Sequence, residues 1–215
     1  MKKQFLVMAC LAVASVQVAS AAITFSNVMV NGNALAAGVP LSSANPFIDQ
    51  TTYNIPVMGG NSISFSTPNA IVGDGSPTAA DSMNLTYVAA SGPAMVAVNA
   101  FSNIGAPALG SGMVVFTETV YSYNLMTMTV GGILGSISHT FNSMSSPNFS
   151  GTISLSTPAN AIYVVKNFQL SAPNSPAFDL AAVAVNNQSI EVVPEPAGIA
   201  AIALGAGMLL RRRTK

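Results

Sequence analysis

The stretch MVVFTETVY, residues 113–121, decides the fold class of this chain. Its side chains are mostly β-branched or aromatic, and the even-numbered positions carry Val114, Phe116 and Val120. Successive side chains of a strand point to opposite faces of a sheet. The pattern therefore predicts a strand with one apolar face turned toward a core.

Runs with the same period of two occur along most of the chain, separated by Gly, Pro, Asn or Ser. They predict strands at residues 23–28, 62–66, 82–88, 95–101, 152–156, 162–170, 178–185 and 189–193. Residues 136–141 fit either a strand or a loop, and residues 103–112 and 142–148 are typical of loops. No convincing amphipathic helix interrupts these runs, so the sequence predicts an all-β domain, an antiparallel β-sandwich of jelly-roll-like form.

Two charged residues occupy positions where the strand pattern is apolar. Glu118 shares parity with Phe116, and Lys166 shares parity with Phe168. A buried charge needs a partner, and Lys166 is the only basic residue between positions 22 and 190. We predict that Lys166 lies near Glu118, or that both escape burial at a sheet edge or bulge. A structural pair is the main interpretation, and a ligand site is the alternative.

The composition argues against most chemistries. Residues 22–190 hold five acidic residues and one basic residue, which excludes the basic surface that nucleic-acid binding requires. His139 is the only histidine and Cys10 the only cysteine, so neither a catalytic triad nor a zinc site is expected. We therefore predict no catalytic residue, no metal ligand and no cofactor.

Two binding functions stay open as alternatives. Asp74 and Asp81 flank a Gly-rich loop, which is first a turn and second a calcium site that Asp49 could complete. Carbohydrate binding would use exposed aromatic side chains on a concave face, and the chain has tyrosines but no tryptophan.

The N-terminus has the three parts of a secretory signal peptide. Lys2 and Lys3 form its charged region, and an apolar stretch runs from Phe5 to Val18. Small residues follow, which predicts cleavage after Ala21. Cys10 lies within this segment, so the mature protein would contain no disulfide.

The C-terminus combines three features in order. Pro194, Glu195 and Pro196 form a short rigid motif, because proline fixes its own φ and extends the residue before it. An uncharged apolar segment of 14 residues runs from Ala197 to Leu210. As a helix it would be about 21 Å long, shorter than the roughly 30 Å core of a bilayer. Arg211, Arg212 and Arg213 follow as a basic stop that favours the cytoplasmic side.

This tail resembles the PEP-CTERM sorting signal. Pro194, Glu195 and Pro196 match its motif, Ala197 to Leu210 its transmembrane part, and the arginines its stop. The resemblance implies an exported protein of a Gram-negative bacterium that a membrane protease-transpeptidase, an exosortase, recognises and processes. It covers about a tenth of the chain and says nothing about the activity of the remainder.

Together these features predict a signal peptide at residues 1–21, a β-sandwich body at 22–190 and a sorting tail with a short transmembrane helix at 191–215. The expected protein is not an enzyme but a structural, adhesive or exopolysaccharide-matrix protein of the cell surface. Its expected partners are the secretion machinery, an exosortase, the inner membrane through the tail, and exopolysaccharide. The alternative is a carbohydrate- or calcium-binding module at the same location.

Overall fold

The computed structural model describes residues 23–55, 61–76, 78–103, 108–173 and 178–192, and within these ranges every regular element is a strand. The strands are β1 Thr24–Val30, β2 Asn33–Ala34, β3 Thr52–Asn54, β4 Ser62–Ser66, β5 Ile71–Gly73, β6 Ala80–Asn103, β7 Met113–Asn124, β8 Thr129–Asn142, β9 Asn148–Ser171, β10 Leu180–Ala182 and β11 Val185–Val192. All ladders between these strands are antiparallel. The predicted all-β class with antiparallel sheets is confirmed.

Two strands of 24 residues, β6 and β9, organise the fold. They pair with each other along most of their length, but the register shifts between Ala90 and Ala97 of β6. Because extra unpaired residues bend a strand, we place a bend of both strands at this shift. Before its bend, β6 lies between β1 and β9; after it, β6 lies between β11 and β9. The main sheet is continuous, with the order β3-β4-β11-β6-β9-β7-β8 and with β1 on β6. Its parts β1-β6-β9-β7-β8 and β3-β4-β11-β6-β9 face each other as two layers, since Gln188 of β11 contacts Glu118 of β7 although these strands are not neighbours in the sheet.

The core lies between these layers and consists of the apolar parity of each strand. Phe116 of β7 packs on Phe168 of β9 with ring centroids 4.9 Å apart. Tyr87 of β6 packs against Phe65 of β4 at 6.0 Å. Gly151 of β9 has no side chain where a Cβ would collide with a side chain of β8, so the two layers approach closely there. Period-two patterning thus correctly identifies the inward residues of the long strands.

The strand lengths differ from the expectation. Residues 82–88 and 95–101 belong to one strand, and so do residues 152–156 and 162–170. Pro158 does not end β9, because it lies where β9 has extra residues between Ser154, paired with Ala97, and Ala159, paired with Met95. Proline is tolerated at such a bulge because no ladder partner needs its missing N–H.

Three other segments refine the predicted pattern. Residues 136–141 belong to a strand, β8, and residues 143–147 form the turn before β9. The predicted strand at 178–185 is interrupted: Leu180–Ala182 pairs with β5 in a separate two-stranded sheet, and Val185 already belongs to β11. Phe178 is 59% exposed, because it lies outside this short ladder.

One end of the domain, here called the tail end, gathers both ends of the described body. Thr24, at the start of β1, pairs with Ala90, and Val192, at the end of β11, pairs with Met95. These partners flank the bend of β6. The turn between β7 and β8 lies at the same end, since Ser122 pairs with Ile162 just after the bend of β9. The turn between β8 and β9 lies at the opposite end, called the far end.

Candidate functional site

The two charged residues on otherwise apolar strand faces meet in the core. Glu118 of β7 and Lys166 of β9 are directly opposite in the ladder, and Lys166 Nζ lies 3.0 Å from Glu118 Oε2. Both side chains are completely buried. Of the two arrangements left open by the sequence, a buried pair and an escape at an edge, the structure has the buried pair.

A third polar group joins this pair from the opposite layer. Gln188 of β11 donates from Nε2 to Glu118 Oε1, so the carboxylate accepts from both layers. Lys166 Nζ also lies 5.7 Å from the centre of the Phe116 ring, within the range of a cation–π contact. We call Glu118, Lys166 and Gln188 the buried triad. It connects strands β7, β9 and β11.

Burial dominates the electrostatics around the triad. It lowers the pKa of Lys166 from its usual 10.5, and the neighbouring Glu118 charge opposes this change. Burial also raises the pKa of Tyr87 well above its usual 10.0, and the negative charge of Glu118 adds to that shift. The Tyr87 hydroxyl is buried and has no hydrogen-bond partner among the described residues. These groups are enclosed on all sides, which suits a structural role and gives a ligand no access.

The acidic loop residues of the calcium alternative accept hydrogen bonds from backbone N–H groups. Asp74 Oδ2 accepts the backbone N–H of Asp179 at 2.8 Å. Asp81 Oδ1 accepts the N–H of Ser82 at 2.7 Å. Within the described ranges, no three His, Cys, Asp or Glu side chains are placed to share a metal ion.

Asp49 is likewise a local acceptor. Its Oδ1 accepts the N–H of Ser43 at 3.0 Å, and this bond, followed by that from the Gln50 side chain, lowers the pKa of Asp49. A groove of about 400 Å³ nearby is lined by Asp81 but by neither Asp49 nor Asp74. The three carboxylates therefore do not converge on this groove.

His139 is part of an aromatic stack. Its ring lies 4.4 Å from the ring of Phe149, nearly parallel to it, and 4.6 Å from that of Phe141. The sequence suggests an ordinary exposed polar residue here, but His139 is half-buried on the inward parity of β8. It serves packing between the layers.

Three tyrosines come together on the outer face of the β7–β9 layer. Tyr121 and Tyr163 have ring centroids 6.4 Å apart, and Tyr123 stacks on Tyr163 at 6.3 Å. All three are half-buried, so each ring keeps an edge or face in solvent. We call them the tyrosine strip. They lie on the strand face opposite to the triad. Their positions in the sequence alone do not show whether these rings serve packing or ligand binding.

The predicted sorting residues lie outside the described ranges. These are Ala21, Pro194, Glu195, Pro196, Ala197 to Leu210, and Arg211, Arg212 and Arg213. In the part of the chain that the structure describes, no helix is long and apolar enough to cross a membrane.

Comparisons with known proteins do not assign the chain to a family. No protein-family model matches it, and no curated protein matches it. Among solved structures it is similar to TmCBM61 in complex with β-1,4-galactotriose, with a TM-score of 0.38 and 8% identity over 81% of this chain and 90% of that one. It is also similar to the arabinose-bound MgGH51 α-L-arabinofuranosidase, with a TM-score of 0.31 and 14% identity over 79% of this chain and 22% of that one. Both TM-scores lie below 0.5, and neither likeness identifies a function.

Proposed function

We propose that the chain is an exported, surface-sorted protein of a Gram-negative bacterium whose body is a non-enzymatic structural, adhesive or matrix domain. The observation that carries this proposal is the succession, at the end of the sequence, of Pro194-Glu195-Pro196, an apolar segment and three arginines. On this proposal the tail first holds the protein in the inner membrane. An exosortase then processes it for the cell surface or the exopolysaccharide matrix.

Three features of the body support this proposal. In the described ranges its charged pair is enclosed in the core, its loop carboxylates accept hydrogen bonds from the backbone, and its histidine packs between phenylalanines. These side chains are therefore engaged in holding the fold. The two facing layers joined by long bent strands also support assigning the body to the jelly-roll-like β-sandwiches.

Intact mass of the surface form tests the sorting proposal. We expect a mature chain that begins after Ala21 and lacks the apolar segment and Arg211 to Lys215. Glu195→Ala should block processing and leave the full tail in the membrane fraction, because Glu195 is the only charge in the motif.

Glu191→Ala is the matched control for that variant. It removes a carboxylate four positions upstream, on the exposed side of β11, and should be processed normally. A wild-type surface form that still ends in Arg-Arg-Arg-Thr-Lys would contradict the proposal, as would equal processing of the Glu191 and Glu195 variants.

Carbohydrate binding is the second candidate function, and the tyrosine strip favours it. Sugars stack on aromatic faces and hydrogen-bond to amides. Beside the strip, Asn167 Nδ2 donates to Asn84 Oδ1 at 2.7 Å, on the same outer face. The strip and this amide pair would receive an extended polysaccharide chain.

Affinity electrophoresis with exopolysaccharide from the producing cells tests this candidate. Tyr121→Ala should weaken binding about tenfold, which corresponds to ~1.4 kcal/mol of lost aromatic contact. Tyr121→Phe keeps the ring and should bind nearly as wild type. Equal migration of wild type and both variants at all polysaccharide concentrations would exclude the strip as a sugar site.

A further inference from the structure

The turn between β7 and β8 exposes a group of apolar side chains. Leu125, Met126 and Met128 are 52%, 95% and 76% exposed, and Val130 is 49% exposed. We call these four residues the apolar tip. Between residues 119 and 165 the sequence contains no Asp, Glu, Lys or Arg. Such an uncharged apolar projection gains free energy when a nonpolar medium covers it.

The position of the apolar tip indicates what covers it. The tip lies at the tail end, where β11 ends at Val192. A groove at this end is lined by both Leu125 of the tip and Ala159 of β9, the residue that pairs with Met95, which in turn pairs with Val192. Four residues separate Val192 from Ala197, the first residue of the apolar tail segment. Five residue steps span at most about 17 Å, so this segment must begin close to the tail end.

The backbone of the turn suits a nonpolar medium. Asn124 Oδ1 accepts the N–H groups of Met126 at 2.9 Å and Thr127 at 3.1 Å. The hydroxyls of Thr127 and Thr129 share a hydrogen bond of 2.8 Å. Groups that are already paired lose little when water is removed. Tyr123 lies directly behind the tip, and tyrosine favours the interfacial depth of a bilayer.

We propose that the apolar tip is a second membrane contact, inserted into the lipid surface from which the tail emerges. This inference rests on the proposed membrane-held stage of the protein. The tail alone would attach the body to the bilayer at a single point. Insertion of the tip fixes the tail end against the bilayer and directs the far end away from it. Because the tip is uncharged, a zwitterionic bilayer suffices and added salt does not release it.

A single introduced tryptophan reports this contact, because the chain contains none. The experiment uses the full chain reconstituted in phosphatidylcholine vesicles, with Met126→Trp at the apolar tip. Its control is Met144→Trp in the far-end turn. Met144 is 96% exposed, and its N–H is accepted by Asn142 Oδ1 at 2.9 Å, just as that of Met126 is by Asn124. The two sites match in side chain, exposure and turn.

We expect the indole at position 126 to emit at shorter wavelength and to be quenched by brominated lipid, at low and high salt alike. The indole at position 144 should behave as in water. Vesicle flotation separates this question from the anchor itself. A chain that fails to float with vesicles contradicts the membrane-held stage, and with it the inference.

Three outcomes with a floating chain would overturn the inference while the anchor stands. If both indoles of the reconstituted chain emit at the wavelength of an indole in water, the tip stays outside the lipid. Equal quenching of both means unspecific adhesion of the body. A blue shift at position 126 without lipid quenching, and dependent on protein density, means that a second copy covers the tip.

A supporting experiment places the reporter at Leu125→Trp and removes the neighbouring apolar side chains. Met126→Ser combined with Met128→Ser should make this indole at least about tenfold less accessible to lipid quencher, given the free energy of burying one such side chain. Met144→Ser should leave the same signal unchanged. Equal signals in these two backgrounds would count against the methionines as the inserted groups.

Discussion

Lys166→Met should lower the free energy of unfolding by about 3–5 kcal/mol, the cost of leaving one member of a buried ion pair alone. Without Lys166, the Glu118 carboxylate keeps its bond from Gln188 but loses its only opposite charge in a completely buried position. Urea unfolding of wild type and variant at neutral pH measures the difference. A loss below about 1 kcal/mol would contradict the role assigned to the pair.

The control replaces the whole buried triad with apolar groups: Glu118→Met, Lys166→Met and Gln188→Leu. Since no charge of the triad then remains buried, the triple variant should recover most of the stability lost in Lys166→Met. A triple variant as unstable as the single one would mean that the cost comes from packing instead.

The pH dependence gives a second measure of the same residue. The folded state lowers the pKa of Lys166 below 10.5, so it holds this proton less tightly than the unfolded chain does. At pH values between the lowered pKa and 10.5, the unfolded chain therefore binds more protons than the folded protein. In that window the Lys166 contribution makes stability rise with pH. Lys166→Met should lack this rise. The comparison should stop below pH 10, because the raised pKa of Tyr87 makes stability fall above it.

Gly73→Ala should lower the free energy of unfolding by about 2–5 kcal/mol, the sum of backbone strain and steric overlap. Gly73 has a φ of 105°, which disfavours any side chain. An added Cβ would also lie 2.7 Å from Ala172 Cβ and collide with the carbonyl oxygen of Asp179. That carbonyl accepts the N–H of Asp74 at 2.8 Å, so the overlap would force apart the short sheet of β5 and β10.

Gly75→Ala separates these two causes. Gly75 has a φ of 86°, but an added Cβ there meets nothing within 4 Å. It should cost only the backbone strain, about 1–2 kcal/mol. If the two variants have equal denaturant m-values, the difference between their denaturant midpoints measures the cost of the steric overlap at Gly73. Equal losses in both would show that β5 and β10 are not held in close contact.

The alternation of apolar and polar residues predicts which side chains of a single strand point into the core. It places Phe116 and Phe168 inside, and the same parity puts Glu118 and Lys166 on the inward faces that meet in the core. Gln188 escapes this reasoning because it follows Asn187 in a polar run, and its acceptor belongs to the opposite layer. Its parity with the buried Ile190 is the only local signal for its inward position.

The long strands could not be predicted, for a different reason. Pro158 and the neighbouring polar residues are ordinary strand terminators, and only the pairing with β6 shows that they lie at a bulge. The position of the apolar tip beside both ends of the described body follows from those bends. The tail segment is predicted from its own residues, whereas the position of Met126 at the tail end of the body depends on the complete fold.

The place of β11 in the sheet has a mechanical consequence. β11 pairs with β4 on one side and with β6 on the other, and it is the last strand before the tail. Its ladder bonds run perpendicular to the strand. If the tail is held in the membrane, as proposed above, a pull on the body runs along β11 and loads both ladders in shear. Many bonds must then break together, so the domain resists tension at the strand through which that tension enters.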